Sequence, residues 1–227
     1  MTGNNPRHAI LIQGADSLGF AEDTAEALRR GFSVQEPTLP PFSGHPIDAR
    51  WAHFDAVGDI VSRTIDKIRA DAPAARIAAI GRNNGGGQLA WAAARGLAID
   101  AMALVGAIPE ISRYRRESNA PSAQKFRQSL AGEAEWARIS EMRPLDIITI
   151  SKFIKCPCLL QFGRNDPFID ETATEAVEIL GKSFPVEWLD DDHAMVSPDA
   201  LRQRWDFLEG ALTHGSTGPH KKRGRAA

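Results

Sequence analysis

The sequence has no apolar run near the ~20 residues that a membrane-spanning helix requires. Its first residues, Met1 to His8, are polar, and the apolar run behind them, Ala9–Ile12, falls short of the ~7–15 residues of a secretory signal core. A cytoplasmic location is therefore the expectation. Cysteine is scarce, with only Cys156 and Cys158 present. At i and i+2 on a strand they would share one face, as a redox pair, as metal ligands or, the favoured reading, as two small buried residues in a reducing compartment. A marked excess of either charge is also missing. The formal net charge is −2, so neither nucleic acid nor a membrane surface is expected as a partner. Phosphate- and dinucleotide-binding signatures are absent too. No Lys-Ser/Thr pair follows the glycine-rich turn at 81–87, and the glycines of Gln13-Gly14-Ala15-Asp16-Ser17-Leu18-Gly19 do not fit a dinucleotide fingerprint. No cofactor and no metal is expected, and no internal repeat is visible.

What remains is an ordinary globular composition, 43% hydrophobic and 25% charged, in 227 residues, a length one core can serve. Six short apolar runs read as strands: Ala9–Gln13, Phe32–Gln35, Arg76–Ile80, Ala101–Val105, Cys158–Phe162 and Val186–Leu189. Most are continuous rather than alternating, the pattern of parallel strands buried on both faces. Helical patterns lie between them. The clearest runs from about His53 to Ala70, where Phe54, Val57, Ile60, Val61, Ile65 and Ile68 make one stripe that stops before Pro73. Others cover about Ala21–Arg30, a segment that follows Gly87 and ends near Gly96, Glu171–Leu180 and Pro198–Leu212. Strand–helix alternation implies a parallel sheet of about six strands with helices on both sides. One domain, 1–212, is expected. Residues 110–152 form an insert with short helices near 121–130 and 133–141, read as a lid or as a decoration that completes the core. The tail 213–227, with four Lys and Arg residues and no apolar pattern, is expected to be disordered.

Three polar sites fall at strand ends. The third strand runs into Gly81-Arg82-Asn83-Asn84-Gly85-Gly86-Gly87 and then directly into a helix. A sharp strand–helix turn needs glycines two positions either side of its strained central residue, so that strand and helix can pass closely. The fifth strand ends in Gly163-Arg164-Asn165-Asp166, and the sixth in Asp190-Asp191-Asp192-His193. The carboxyl ends of parallel strands converge on one crevice. There an Asp that holds a His in one tautomer makes it a competent base. Any of the three acids before His193 could also be its partner.

In this order of motifs the chain resembles the α/β-hydrolase superfamily, in the style of the small dienelactone hydrolases and serine esterases. The likeness spans about residues 8–210 and is strongest from Arg143-Pro144-Leu145-Asp146 through Ile169. The resemblance implies an α/β-hydrolase fold, a small acyl-like substrate, Asp166 and His193 as triad acid and base, and an oxyanion hole from the backbone N–H groups of Asn84 and Ala15. It also exposes a departure. The family places Ser, or in some branches Cys or Asp, where this chain has Asn83. An amide has neither a proton that histidine can usefully remove nor a nucleophilic lone pair. Shifting the register by one only reaches Asn84, and Ser17, Ser151 and both cysteines lie outside the turn. Four readings stay open: a ligand-binding protein without catalysis, a non-covalent lyase or isomerase using the His–Asp pair as base, conversion of Asn83 to aspartate, and an esterase whose serine has been replaced.

Overall fold

The computed structural model describes residues 5–14 and 19–214. Six strands form one sheet: β1 (Arg7–Gln13), β2 (Ser33–Gln35), β3 (Arg76–Arg82), β4 (Ala101–Val105), β5 (Cys158–Gly163) and β6 (Val186–Leu189), in the order β2-β1-β3-β4-β5-β6. Every pairing is parallel. The order reverses direction after β2, which makes the sheet doubly wound and leaves a crevice at the carboxyl ends of β1 and β3.

Side chains alternate across this sheet, yet both faces are covered, which explains the unbroken apolar runs. Ile10, Ile12, Ile77 and Ala79 face one layer, made by helices α2 (Asp48–Asp71), α3 (Asn84–Ala94) and α8 (Glu171–Leu180). Ala9, Leu11, Ala78 and Ile80 face the other, made by α1 (Ala21–Arg29) and α9 (Pro198–His214), where Trp205 and Leu208 are wholly buried.

Several boundaries differ from the sequence expectation. Helix α2 starts at Asp48 rather than His53. Its stripe begins at Phe54, but Asp48 in the first turn suits the positive end of the helix dipole and the chain is already wound there. Helix α3 begins at Asn84, ahead of the start expected after Gly87. Gly85, Gly86 and Gly87 have low helix propensity, so sequence alone delays the helix, whereas packing demands them. Helix α9 runs to His214, two residues into the stretch expected to be disordered; residues 215–227 lie outside the described residues.

The insert is largely helical, with more helix than its pattern suggests: α4 (Ile111–Glu117), α5 (Pro121–Gln128), α6 (Glu133–Ala137) and α7 (Ile147–Ile150), with 3-10 turns at Arg138–Leu145 and Ser151–Phe153. Helix α4 reads as polar in sequence. It is pinned by a distant residue, since buried Asp146 accepts the Ser112 N–H at 2.9 Å and its hydroxyl at 2.5 Å. Two small apolar clusters dock the insert. In one, Phe126, Leu130, Ile139 and Met142 pack with Ile47. In the other, Ile111, Tyr114, Ala120 and Ala123 pack with Ala173 of α8.

Candidate active site

Asn83 is the hinge between β3 and α3. Its backbone sits at φ 52° and ψ −123°, one of two described non-glycine residues with positive φ. Asparagine is among the best helix N-caps, yet here the side chain makes no capping bond. The backbone is fixed from both sides: Asn83 N–H donates to Val105 O at 2.9 Å, and Asn83 O accepts from Gly86 N–H at 3.0 Å. The glycines are dictated by contact. A methyl at Gly85 would lie 2.2 Å from Ile12 O, one at Gly81 2.6 Å from Gly85 O, and one at Gly86 2.5 Å from the Ala107 methyl.

His193 and Asp166 meet as the sequence suggests. His193 Nδ1 lies 2.7 Å from Asp166 Oδ2. The Asp166 side chain is fully buried, and its other oxygen accepts the Phe168 N–H at 2.8 Å. A carboxylate on Nδ1 sets the tautomer in which Nδ1 carries the proton and Nε2 the lone pair. That Nε2 is buried and has no hydrogen-bond partner among the described residues. Phe168 packs edge-on against the imidazole, with ring centres 4.6 Å apart. The acids before His193 serve the loop instead. Asp190 accepts from Asn165, Asp191 from the Ser197 N–H and Asp192 from the Ala194 N–H.

The two halves of the site adjoin at the end of β4. Val105 O holds Asn83, and the next residue, Gly106, has φ 57° and leaves room for the dyad: a methyl there would sit 3.3 Å from the His193 ring and 3.5 Å from Asp166 Oδ2. Beside the elbow lies a narrow cleft of about 20 Å³, partly open to solvent. Asn83, Asn84 and Arg50 make its polar wall, and Phe54, Ile108, Ile111 and Leu145 its apolar one. His193 lies outside these walls. Arg50 is buried, donates to Asn84 Oδ1 at 3.4 Å and lies over Phe42.

Asn84 opens α3, where first-turn N–H groups lack intrahelical acceptors. The chain leaving β1 passes close by: a methyl at Gly14 would lie 3.1 Å from Asn84 N. Ala15 and Ser17 lie outside the described residues. Ser151 belongs to a 3-10 turn of the insert and donates to Ile148 O. Burial pushes the Cys156 thiol up to about 11 and Cys158 well above its ordinary value, so neither is a ready thiolate at neutral pH. Arg50 and Gly106 went unnoticed in the sequence. Arg50 lies upstream of the apolar stripe of α2, and Gly106 carries no motif; only the strand order places them at the site.

No protein-family profile matches the sequence, and no curated protein matches it as a relative. Solved structures do match. The esterase Pf2001 of Pyrococcus furiosus superposes with a TM-score of 0.64 at 17% identity, over 92% of this chain and 83% of its own. Acetyl xylan esterase 1 from Thermoanaerobacterium sp. gives 0.64 at 16%, over 92% and 76%. A truncated carbohydrate esterase from gut microbiota gives 0.64 at 15%, over 92% and 87%. The fold is that of the α/β-hydrolases. Asn83, Asp166 and His193 follow the carboxyl ends of β3, β5 and β6. Among the described residues, no group of His, Cys, Asp and Glu could hold a metal ion, and no helix is long and apolar enough to cross a membrane.

Proposed function

We propose that this chain is built on an ester- or lactone-hydrolase framework whose covalent step is missing, because Asn83 stands at the nucleophile position. The observation that carries the reading is the 2.7 Å His193–Asp166 bond beside a strained, glycine-flanked elbow at residue 83. The esterase names of the superposable structures support the same choice. In this reading the cleft takes a small acyl-like group, the insert carrying Ile111 and Leu145 serves as its lid, and the N–H of Asn84, with one from Ala15, faces the carbonyl oxygen. An amide cannot attack that carbonyl. The unaltered protein therefore binds its ligand without forming an acyl intermediate.

A second reading rests on the same dyad. His193 Nε2 is a buried acceptor with its lone pair free of protein donors among the described residues. Such a base can take a proton from water or from a substrate carbon, as a lyase or isomerase requires, while the Asn83 amide donates a hydrogen bond.

The test is Asn83→Ser. The serine Oγ would attack an ester carbonyl carbon and pass its proton to His193 Nε2. The alcohol would leave with that proton, and water would then release the acid. Serine is smaller than asparagine and fits without a clash. The variant is expected to hydrolyse a short activated ester and to react with a fluorophosphonate probe at residue 83, as peptide mapping would show. The parent should not label. A residual acceleration of ~10³–10⁴ from an oxyanion hole alone would not conflict with this. Strong labelling of the parent at another serine would overturn the site assignment. A folded Asn83→Ser protein that neither labels nor hydrolyses would favour the binding or non-covalent reading. An intact-mass measurement on the parent separates asparagine from aspartate at residue 83.

A further inference from the structure

A carboxylate wholly shielded from solvent gathers four donors next to the elbow. Asp23, in α1, accepts Arg204 Nε at 2.9 Å and Trp205 Nε1 at 3.0 Å on one oxygen. On the other it accepts Arg82 Nη2 at 2.8 Å and Arg204 Nη2 at 2.9 Å. Both arginines are themselves buried, at 1% and 0% exposure. Of their remaining donors, Arg82 Nε is buried without a partner among the described residues, and the others grip the chain elsewhere. Arg82 Nη1 donates to Gly19 O at 2.7 Å. Arg204 donates to Met195 O at 3.3 and 3.4 Å and to Gln161 Oε1 at 2.6 Å.

Stability alone is a weak reason for such a cluster. Taking ions out of water is costly, and apolar residues of similar volume often serve as well. The places it reaches are more telling. Arg82 directly precedes Asn83, and Met195 lies two residues after His193. Gln161 is on the strand that leads to Asp166, and Gly19 closes the connection after β1. Met195, like Asn83, is held at φ 52°, and strained non-glycine backbone persists only where its surroundings over-determine it.

We infer that Asp23 is a positioning residue: through Arg82 and Arg204 it holds the elbow and the His193 loop in register, and so sets the His193–Asp166 hydrogen bond. The inference rests on that bond and not on ester hydrolysis, so it stands or falls independently of Asn83→Ser. The readout is the low-field proton resonance of the His193 imidazole N–H, assigned by its loss in His193→Gln and Asp166→Asn, recorded on the full chain. Asp23→Asn and Arg204→Lys, folded by circular dichroism, are expected to shift the resonance or lose it to exchange broadening. Trp205→Phe removes one donor from Asp23 and leaves both arginines; it should lower the melting temperature and leave the resonance in place. Folded Asp23→Asn or Arg204→Lys protein with an unmoved resonance would reduce the cluster to a structural role. So would failure of both variants to fold. If only Asp23→Asn fails to fold, Arg204→Lys decides by the same reading. Absence of the resonance from the unaltered chain would remove the bond and the inference with it.

Discussion

At residue 83 the backbone conformation, φ 52° and ψ −123°, is one that a residue with a Cβ adopts at a cost of ~1–3 kcal/mol. Glycine would relieve that strain, at the smaller expense of a more flexible unfolded chain. Asn83→Gly is therefore expected to stabilise the protein by about 1 kcal/mol, a rise of roughly 2–4 °C in thermal melting for a chain of this size. A fall in melting temperature would show that the amide side chain holds the turn through contacts stronger than its strain. The reverse substitution at Gly85 should be severe. Its new methyl would meet Ile12 O at 2.2 Å, backbone against backbone with no flexible side chain to yield. Gly85→Ala should cost about 3 kcal/mol or more, read as loss of folded protein or a steep drop in the denaturation midpoint.

Helix α4 and the turn bearing Asp146 are joined by a carboxyl that burial raises from 3.8 to about 6, against the lowering effect of its two bonds from Ser112. A group with a raised folded pKa binds its proton more tightly when folded. Its contribution to stability is therefore complete below about pH 4 and is lost as the pH rises through about 6. Asp146→Asn cannot ionise and should lack this loss. The melting temperature of the variant relative to the parent should thus be higher at about pH 7.5 than at about pH 4.5. A difference that stays constant with pH would mean that Asp146 does not titrate in that window. Because Asp146 pins α4, the same pair explains why that helix is hidden in the sequence. Ser112-Arg113-Tyr114-Arg115-Arg116 carries no apolar stripe, and its anchor lies 34 positions along the chain. The strands were far more readable, since a strand buried on two faces declares itself by an apolar run, and β4, buried throughout, falls where its run places it.

For the molecule as a whole, the core closes with α9, whose Trp205, Leu208 and Leu212 pack beneath the sheet. The residues after His214 add charge and no apolar anchor. Deleting 215–227 should leave the melting temperature unchanged, while a deletion from Thr213 also trims the helix and removes the Thr213 hydroxyl bond to Glu209 O. A drop of several degrees on the shorter deletion would show that the basic tail docks.

Local chemistry settled the strand–helix alternation, the elbow and the two strand ends that present Asp166 and His193, because apolar period, glycine demand and turn residues are all read over a few positions. It was the resemblance to the α/β-hydrolases, and not those signals, that marked Asn83 as standing where a nucleophile is expected. Only the tertiary structure decided which acid pairs with His193. Asp166, Asp190, Asp191 and Asp192 are alike in sequence, and only the packing of β5 beside β6 brings Asp166 Oδ2 to 2.7 Å from the ring while the other three shape their loop. It likewise decided that Arg50 reaches the cleft and that Asp23 meets Arg204 across 181 positions. Such pairings depend on strand order and helix placement, which no local pattern encodes.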